Sequence, residues 1–364
     1  MPIKEESFRI GCGRYLQGKG YIAKCGEEVL RLGSSPIVIG DTTTLSLTKE
    51  SLICSIEPLC KKYEIITHNG TCNDERASEL ASYIKEHGYD VVIGVGGGVI
   101  MDFAKLCAHF SGLPVINIPT SSATCAAYAP LSVRYTPEGR TVGSKHYERE
   151  VNAVIADTEI LGAQPVRLLL SGVFDALAKF VEIKHRFTGD ISEEYPLGLD
   201  YAYFMSRHSY ELLNVKIKKC IEDMEKGDVT GDVESVIFTA IAATGVISGI
   251  ARGSNQCALG HKFYETTRTL FHESARPYLH GEIVGVGLLL QNHFNGETEN
   301  NAVLLDLMKK HGMPSCVTDI GVDKTEETFE NYYELLKNSS AIDKNNEDEC
   351  IRLRAALTYL WELG

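Results

Sequence analysis

With 364 residues, the chain is longer than one hydrophobic core normally serves, and its length predicts two domains. Apolar residues make up 44% and charged residues 23% of it, which excludes a disordered or fibrous protein. A formal net charge of −13, with no long run of Lys or Arg, excludes a nucleic-acid-binding surface and favours a small-molecule partner.

No targeting or membrane segment is evident. The opening residues MPIKEESFRI contain no apolar signal core, and no stretch approaches the ~20 apolar residues that span a bilayer. The eleven cysteines form no CxxC pair, so most are expected to be reduced core residues. We therefore expect a cytoplasmic protein with no membrane partner.

The first half of the chain alternates short β-type apolar runs with helical stretches. DERASELASYIKEHG, between the second and third runs, has apolar residues at helical spacing and ends at Gly88. Strand, helix and strand in succession predict a parallel sheet with helices on both faces. The predicted strands are residues 36–41 (PIVIGD), 63–68 (YEIITH), 90–96 (DVVIGVG), 114–119 (PVINIP) and 152–157 (NAVIAD).

After Pro165 the sequence changes to long amphipathic helices, for example at residues 236–250 and 326–336. We place a domain boundary near residue 162. The expected organisation is an α/β domain over residues 1–162 and an all-helical domain over residues 163–364.

Glycines cluster where the third predicted strand runs into a helix, in DVVIGVGGGVIMDFAK. Glycines let a backbone approach a pyrophosphate closely, and the free N–H groups of a helix start favour anions. The alternative is an ordinary tight turn. Because the cluster lies at the carboxyl end of a strand in a parallel sheet, phosphate binding by Gly94–Gly98 is favoured.

Two further strand ends support a nucleotide. Asp41 follows PIVIG, where a carboxylate would accept from ribose hydroxyls and repel a 2′-phosphate, which favours NAD over NADP. Alternatively, Asp41 merely caps the next helix. In PTSSAT, the hydroxyls of Thr120 and Thr124 are placed to hold phosphate or the nicotinamide amide, although such residues are also ordinary turn formers.

Candidate metal ligands occur in the helical half. SGVFDALAKFVEIKH places Asp175, Lys179 and Glu182 on one helix face, which by itself predicts a solvated face with an Asp175–Lys179 ion pair. His261 follows in CALGH, and His280 opens LHGEIVGVGLLL. A carboxylate and two imidazoles suit Zn²⁺ or Fe²⁺ with a position left open for a substrate oxygen.

Together these motifs resemble the iron-containing alcohol dehydrogenase superfamily, which includes glycerol dehydrogenase, sn-glycerol-1-phosphate dehydrogenase and 3-dehydroquinate synthase. The resemblance spans about residues 8–295. It rests on GRYLQGKGYIAKCGEEVLRLG, VIGD, GVGGGVIMDFAK, PTSSAT, SGVFDALAKFVE and LHGEIVGVG, in the family order. It implies a dehydroquinate synthase-like architecture: a Rossmann-like NAD domain, then a helical domain with a catalytic metal. It also implies a homo-oligomer.

The resemblance also implies roles for individual residues. Asp175 and His280 would bind the metal, and Lys179 stands where more distant iron enzymes have another His ligand, so a three-ligand site like that of glycerol dehydrogenase is implied. The residues implied at the cofactor are Gly96, Gly97, Gly98, Asp102, Thr120, Thr124, Leu131 and Tyr135, besides Asp41.

Two departures from the family pattern bear on substrate and metal. Glycerol dehydrogenases have an Asp that contacts the polyol where this chain has Cys125, so the resemblance implies a substrate contact at Cys125. The segment resembles that of hydroxycarboxylate dehydrogenases, which makes glycerol a doubtful substrate. At the metal, CALGH aligns either Cys257 or His261 with the third ligand. We prefer His261 because a neutral imidazole binds Zn²⁺ without a thiolate's extra charge; Cys257 and a site without metal remain alternatives.

The expected activity is an NAD(H)-dependent, metal-assisted interconversion of a small alcohol, a polyol or hydroxy acid, and its carbonyl compound. The ion would stabilise charge on the substrate oxygen, and Asp175, His261 and His280 would form the catalytic group, with either His able to relay the proton. Zn²⁺ is preferred to Fe²⁺.

Three alternatives stay open. They are an sn-glycerol-1-phosphate dehydrogenase-like enzyme, a 3-dehydroquinate synthase-like lyase, and a nucleotide-binding homologue with a decayed metal site. The lyase normally has Glu at the position of Asp175 and needs basic residues for its substrate, for which Arg252 and Lys262 are available.

Overall fold

The computed structural model describes residues 8, 10–187, 189–190, 196–251 and 256–364. Its strands are β1 (Tyr15–Gly18), β2 (Pro36–Gly40), β3 (Glu64–Thr67), β4 (Val91–Gly96), β5 (Val115–Pro119), β6 (Leu131–Tyr135), β7 (Thr141–His146) and β8 (Ala153–Asp157).

The described chain also contains the following α-helices, which dominate its second half. They are α1 (Cys25–Leu32), α2 (Thr42–Ile56), α3 (Asp74–Glu86), α4 (Gly98–Ser111), α5 (Thr158–Gly162), α6 (Val166–Ile183), α7 (Leu197–Lys226), α8 (Gly231–Phe238), α9 (Thr244–Ala251), α10 (Leu259–Leu270), α11 (His272–Ala275), α12 (His280–Phe294), α13 (Asn301–Lys310), α14 (Glu326–Lys337) and α15 (Glu347–Glu362). Residues Thr239–Ala243 form a π-helical turn between α8 and α9.

Six strands form one parallel sheet in the order β1-β8-β5-β4-β2-β3. Every residue of β2, β4, β5 and β8 is buried, because runs of Val and Ile suit strands that are covered on both faces. The five strands that the sequence predicted are confirmed to within a residue or two. The predicted parallel α/β class is confirmed with them.

Three strands, β1, β6 and β7, were not predicted from the sequence. The edge strand β1 reads YLQG and is half-buried throughout, so it has no continuous apolar run. The strands β6 and β7 pair in an antiparallel hairpin, and β7 reads TVGSKH with an exposed or half-buried pattern. Polar composition at an edge removes the signal on which a strand prediction depends.

The strand order reverses its direction beside β2. From β2 the chain moves to β3 on one side, then returns to β4 on the other side and continues outward to β5. In open parallel sheets, such a reversal leaves a crevice at the carboxyl ends of the two strands, and ligands bind there. Here those ends are Gly40 and Gly96.

Contacts between Cα atoms group the described chain into two compact units. The sheet unit contains the described residues of 9–165 together with Lys216–Val246. The helical unit contains Phe8 and the described residues of Val166–Val215 and Ile247–Gly364, so one of the unit divisions falls within α7. The predicted division into domains 1–162 and 163–364 stays a prediction.

Among the described residues, the 21-residue helical stretch Gly231–Ala251 is long and apolar enough to cross a membrane, and its most apolar 18 residues have a mean hydropathy of 1.8. The expectation that no stretch approaches this length was therefore wrong. The stretch is 61% buried inside the protein, a property that core helices of soluble proteins share. Length and composition alone do not make it a membrane span.

Candidate functional site

One face of α6 carries three buried ionisable side chains, those of Asp175, Lys179 and Glu182, which are 4%, 4% and 3% exposed. The Lys179 ammonium lies 2.9 Å from Asp175 Oδ1, so the predicted ion pair is present. The face is nevertheless buried rather than solvated. Because a buried charge is costly unless it is paired, such a concentration on one face calls for a reason beyond helix stability.

Two histidines complete a cluster around Asp175. His261 lies in the first turn of α10 and its Nε2 is 3.3 Å from Asp175 Oδ1, while His280 is the first residue of α12 and its Nε2 is 3.8 Å from the same oxygen. One ligand atom from each of the three residues lies within 4.8 Å of the others. The helical unit thus brings together the predicted set Asp175, His261 and His280.

A close approach of α12 to α6 places His280 in this cluster. A Cβ atom on Gly281 would lie 1.8 Å from the Ser171 carbonyl oxygen, so only glycine permits the contact. The Gly281 N–H lies 3.1 Å from Ser171 Oγ. Ser171 lies one helical turn before Asp175. The contact at Gly281 therefore brings His280, the residue before it, close to the Asp175 carboxylate.

An ion pair fixes the same end of α12. Arg167, in the first turn of α6, makes two hydrogen bonds to the buried Glu282 carboxylate, at 2.6 and 2.7 Å. Glu282 also accepts from the Leu279 N–H at 2.7 Å. Planar bidentate pairing of this kind holds geometry as well as charge, and here it orients the turn that bears His280.

Glu182 orients His261. Its Oε2 lies 2.5 Å from His261 Nδ1, and its Oε1 accepts from the backbone N–H groups of His261 and Ala258, at 2.8 and 2.7 Å. With Nδ1 held by a carboxylate, Nε2 is the ring nitrogen that faces Asp175. Carboxylate–histidine pairs of this form fix the ring in metal sites.

Cys257 lies outside the cluster of Asp175, His261 and His280. Among the described residues, the cluster whose ligand atoms lie close enough to share an ion comprises Asp175, His261 and His280 alone. Cys257 is half-buried. The geometry therefore favours His261 in the ambiguity that CALGH leaves open; its role as a ligand remains a prediction.

The cluster perturbs its own ionisation. Burial would raise the pKa of Asp175, but the Lys179 ammonium and the two imidazoles hold that pKa well below its ordinary value. Burial would lower the pKa of His261, yet the Glu182 carboxylate overrides this effect and raises it to about 10. Burial lowers the pKa of His280. Asp175 is thus an anion at neutral pH.

These residues fit a divalent metal ion. Asp175 Oδ1 is buried and accepts no hydrogen bond among the described residues, although cationic and imidazole nitrogens lie 2.9–3.8 Å away. One carboxylate and two imidazoles match the donor set of catalytic zinc or iron sites.

In the sheet unit, the glycine turn leaves space at the start of α4. Gly97 caps α4 without any side-chain hydrogen bond, and a Cβ atom built on Gly97 would meet nothing within 4 Å. The first N–H groups of α4 therefore face a surface that an anion can approach.

The PTSSAT segment lies beside this turn. The Thr120 N–H donates to the Gly96 carbonyl at 2.9 Å, and Thr124 Oγ1 lies 3.3 Å from the Cβ position of Gly98. Ser122 is pinned by Gln164, whose Oε1 accepts from its backbone N–H at 2.8 Å. Four residues predicted to contact the cofactor, Gly96, Gly98, Thr120 and Thr124, are thus neighbours.

Asp41 caps α2, as one of its two interpretations required. Its Oδ1 accepts from the Thr44 N–H at 2.9 Å, and the Asp41 N–H donates to Thr44 Oγ1 at 3.2 Å. Its other carboxylate oxygen accepts no hydrogen bond from the described residues. Because β2 and β4 are neighbours, Asp41 follows the strand beside the glycine turn, so capping does not exclude a contact with ribose.

Asp102 points into the protein. It is 6% exposed; its Oδ1 lies 2.9 Å from Lys105 Nζ, and its Oδ2 accepts from the Val133 N–H at 3.0 Å. Lys105 in turn donates to the carbonyls of Ala126, Ala129 and Leu131. The pair anchors β6, and its role at the cofactor stays a prediction.

Three other predicted residues are placed as follows. Leu131 and Tyr135 begin and end β6, and the Tyr135 N–H donates to the Cys72 carbonyl at 2.8 Å. The Cys125 carbonyl accepts from the N–H groups of Tyr128 and Ala129, at 2.9 and 3.0 Å. The substrate contact predicted for Cys125 stays a prediction.

Sequence reasoning missed the supporting residues. Glu182 was noted only for sharing a face with Asp175, although a carboxylate seven residues away on that face was the available signal. Arg167 and Glu282 are 115 residues apart, and no local pattern joins them. Of the two basic residues considered for an anionic substrate, Lys262 pairs with Glu265 at 2.6 Å, and Arg252 lies outside the described residues.

The chain is similar to known dehydrogenases over most of its length. Residues 12–158 match the family model described as iron-containing alcohol dehydrogenase. A glycerol dehydrogenase from Thermotoga maritima is 31% identical over 319 residues, which are 85% of this chain and 84% of that protein. Hydroxycarboxylate dehydrogenase A from Escherichia coli K12 is 29% identical over 260 residues, 71% of this chain and 70% of that protein.

The fold has close structural counterparts. The crystal structure of a probable glycerol dehydrogenase from Sinorhizobium meliloti 1021 superposes with a TM-score of 0.81, covering 98% of each chain at 24% identity.

Proposed function

Since the chain belongs to the iron-containing alcohol dehydrogenase family and is an oxidoreductase of small alcohols, we propose that Asp175, His261 and His280 hold a divalent ion and that the Gly96–Gly98 turn holds NAD(H). The reaction interconverts a polyol or hydroxy acid and its carbonyl compound. The observation that carries the proposal is the position of the buried Asp175 Oδ1, 3.3 and 3.8 Å from Nε2 of His261 and of His280.

Each protein group has a defined task. Asp175 supplies the negative charge of the site, and Nε2 of His261 and Nε2 of His280 supply neutral donors. Glu182 keeps a proton on Nδ1 of His261, so that Nε2 presents a lone pair. A divalent ion held there would polarise the substrate oxygen as a Lewis acid. Hydride transfer itself is the chemistry of the nicotinamide.

The cofactor site rests on the sheet. The open α4 N-terminus at Gly97 and Gly98 favours the pyrophosphate, with Thr120 and Thr124 beside it. The unbonded oxygen of Asp41 is available to a ribose hydroxyl, and its charge disfavours a 2′-phosphate. These features support NAD over NADP.

The remaining assignments extend the same proposal. Two imidazoles and one carboxylate are a common catalytic zinc set, so we expect Zn²⁺ rather than Fe²⁺. We also propose a cytoplasmic homo-oligomer. That all three metal donors are present and adjacent speaks against a decayed site, and the lyase would need a cationic patch for which Lys262, already paired with Glu265, gives little support.

The test is NADH oxidation by purified protein after chelation and after re-addition of Zn²⁺ or Fe²⁺, with 2-oxo acids, aldehydes and dihydroxyacetone as substrates. We expect the enzyme to oxidise added NADH over multiple turnovers, and only when the metal is present. Less than about a tenth of an equivalent of bound metal, with no activity on re-addition, would contradict the proposal. Metal-dependent chemistry that leaves added NADH unconsumed would favour a lyase, which recycles its cofactor internally.

A further inference from the structure

A lysine lies inside the metal-ligand cluster. The ammonium of Lys179 is 2.9 Å from Asp175 Oδ1 and 3.2 Å from His261 Nε2, and its side chain is 5% exposed. These two atoms are among the three that would bind an ion. Lys179 therefore lies next to the position that an ion would occupy.

The charges of the cluster do not balance when an ion is present. Asp175 and Glu182 together carry two negative charges, which a divalent ion offsets, and ligating imidazoles are neutral. The Lys179 ammonium then adds a positive charge beside the ion. Like charges in a buried site repel strongly, and an anion that joins them relieves the repulsion.

We propose that Lys179 is a specificity-determining residue that pairs with the carboxylate of the substrate and selects 2-oxo and 2-hydroxy acids over uncharged polyols. The inference rests on the proposed function and narrows its substrate class. In the reduction direction, NADH and a proton convert the 2-oxo acid to the 2-hydroxy acid and NAD⁺.

The position of Lys179 favours a carboxylate over a phosphate ester. In a 2-oxo acid the carboxylate is bonded to the reacting carbonyl carbon, so a cation adjacent to the metal ligands is within its reach. The phosphate of a glycerol-phosphate-like substrate lies farther along the molecule, and phosphate sites normally gather several donors. The Lys179 ammonium, 3.2 Å from His261 Nε2, suits the shorter molecule.

The test compares the metal-loaded wild type with Lys179→Met, Lys179→Arg and Lys184→Met. Lys184 follows α6 and pairs with Glu297, so its replacement is a matched control away from the cluster. The substrates are pyruvate and methyl pyruvate, which share a carbonyl and differ in charge. For Lys179→Met we expect kcat/KM for pyruvate to fall ~100-fold, mostly through KM, because a charged hydrogen bond is lost. For methyl pyruvate it should change less than about threefold.

The other two variants test whether the charge of Lys179 causes the change in kcat/KM. Lys179→Arg retains the charge and should keep kcat/KM for pyruvate within about tenfold of the wild type. Lys184→Met should behave as the wild type. An unchanged preference for pyruvate in Lys179→Met would overturn the proposal.

Binding and metal content give readouts that do not depend on turnover. Calorimetry with oxamate, in the presence of Zn²⁺ and NADH, should show ~100-fold weaker binding to Lys179→Met. Zn²⁺ content should be equal or higher in that variant because a repulsive charge is gone. A lower Zn²⁺ content in Lys179→Met would show that Lys179 stabilises metal binding, which contradicts the proposal. If no carbonyl substrate turns over in the wild type, the proposed function fails, and oxamate binding still decides the role of Lys179.

Discussion

Two buried Asp–Lys pairs, one in each unit, look alike in isolation. In the sheet unit, Asp102 and Lys105 lie on α4; in the helical unit, Asp175 and Lys179 lie on α6. In both pairs the ammonium nitrogen is 2.9 Å from the Asp Oδ1, and both lysines are almost completely buried. The pairs differ in what surrounds them.

Backbone groups surround the first pair. Lys105 donates to three carbonyls and Asp102 accepts from a backbone N–H, so the pair holds β6 against α4. The second pair is surrounded by the imidazoles of His261 and His280, which can bind either a proton or a metal ion. We therefore interpret the Asp102–Lys105 pair as structural and propose that the Asp175–Lys179 pair belongs to a metal site.

The largest effect should come from Asp175→Asn, which removes the charge of the site and keeps its shape. Metal-dependent NADH turnover should fall by at least ~10³-fold, since an ion contributes several kcal/mol to the transition state. Bound Zn²⁺ should fall below about a tenth of an equivalent, while NAD affinity stays within about twofold. Elemental analysis, steady-state rates and NADH fluorescence titration measure these quantities.

Asp223→Asn is the matched control. Asp223 is also buried and also pairs with a lysine four residues away, Lys219, and it has no imidazole neighbour among its described partners. It should keep its metal. Equal metal loss in Asp175→Asn and Asp223→Asn would show that any buried Asp is needed for folding. It would contradict a special role for the Asp175–Lys179 pair.

Replacement of Lys105 by Met should act on stability instead. It leaves Asp102 as an unpaired buried carboxylate, so the free energy of unfolding should fall by about 3–5 kcal/mol at pH 8. Metal content of the folded protein should be unchanged. Urea unfolding followed by circular dichroism, with elemental analysis, measures both.

The loss in Lys105→Met should depend on pH. Burial already raises the pKa of Asp102, and without the Lys105 ammonium it rises further. An acid with a raised pKa in the folded state destabilises the fold when ionised, so the deficit should shrink as pH falls from 8 to 5. Lys85→Met, which removes a surface lysine bonded to the Phe110 carbonyl, is the control. A pH-independent deficit would exclude ionised Asp102 as its cause.

A smaller effect is expected from Glu182→Gln. The amide keeps the backbone hydrogen bonds but no longer holds the His261 ring as a carboxylate does, so Zn²⁺ affinity should fall 10–100-fold. Competition with a chromophoric chelator measures it. Unchanged affinity would show that His261 is not oriented through Glu182.

The smallest effect concerns Asp41→Ser. Serine is as good a helix cap as aspartate, so α2 should keep its stability while the charge that repels a 2′-phosphate disappears. The ratio of kcat/KM for NADH to that for NADPH should fall about tenfold, or about 1.4 kcal/mol. An unchanged ratio would place the ribose contact elsewhere.

The sequence predicted the sheet and the ligand set for different reasons. Buried parallel strands are local runs of Val and Ile, so β2, β4, β5 and β8 could be read directly. Asp175, His261 and His280 could be joined only through the family resemblance, because their spacing in the chain says nothing about their distance in space.

What the sequence could not reveal is burial. The spacing of Asp175, Lys179 and Glu182 predicted one face and one ion pair, and both are present, but the face is inside the protein. Its burial follows from the approach of α12 at Gly281, more than a hundred residues later. The same limit applies to Asp102, where a long-range partner, Val133, decides the orientation of the side chain.

The most direct test of the metal centre is Zn K-edge X-ray absorption of the purified, zinc-loaded protein. We predict a first shell of nitrogen and oxygen atoms at about 2.0–2.1 Å, with the multiple scattering of two imidazoles and without sulfur. A sulfur shell at about 2.3 Å would place Cys257 in the site in place of His261 and contradict the account.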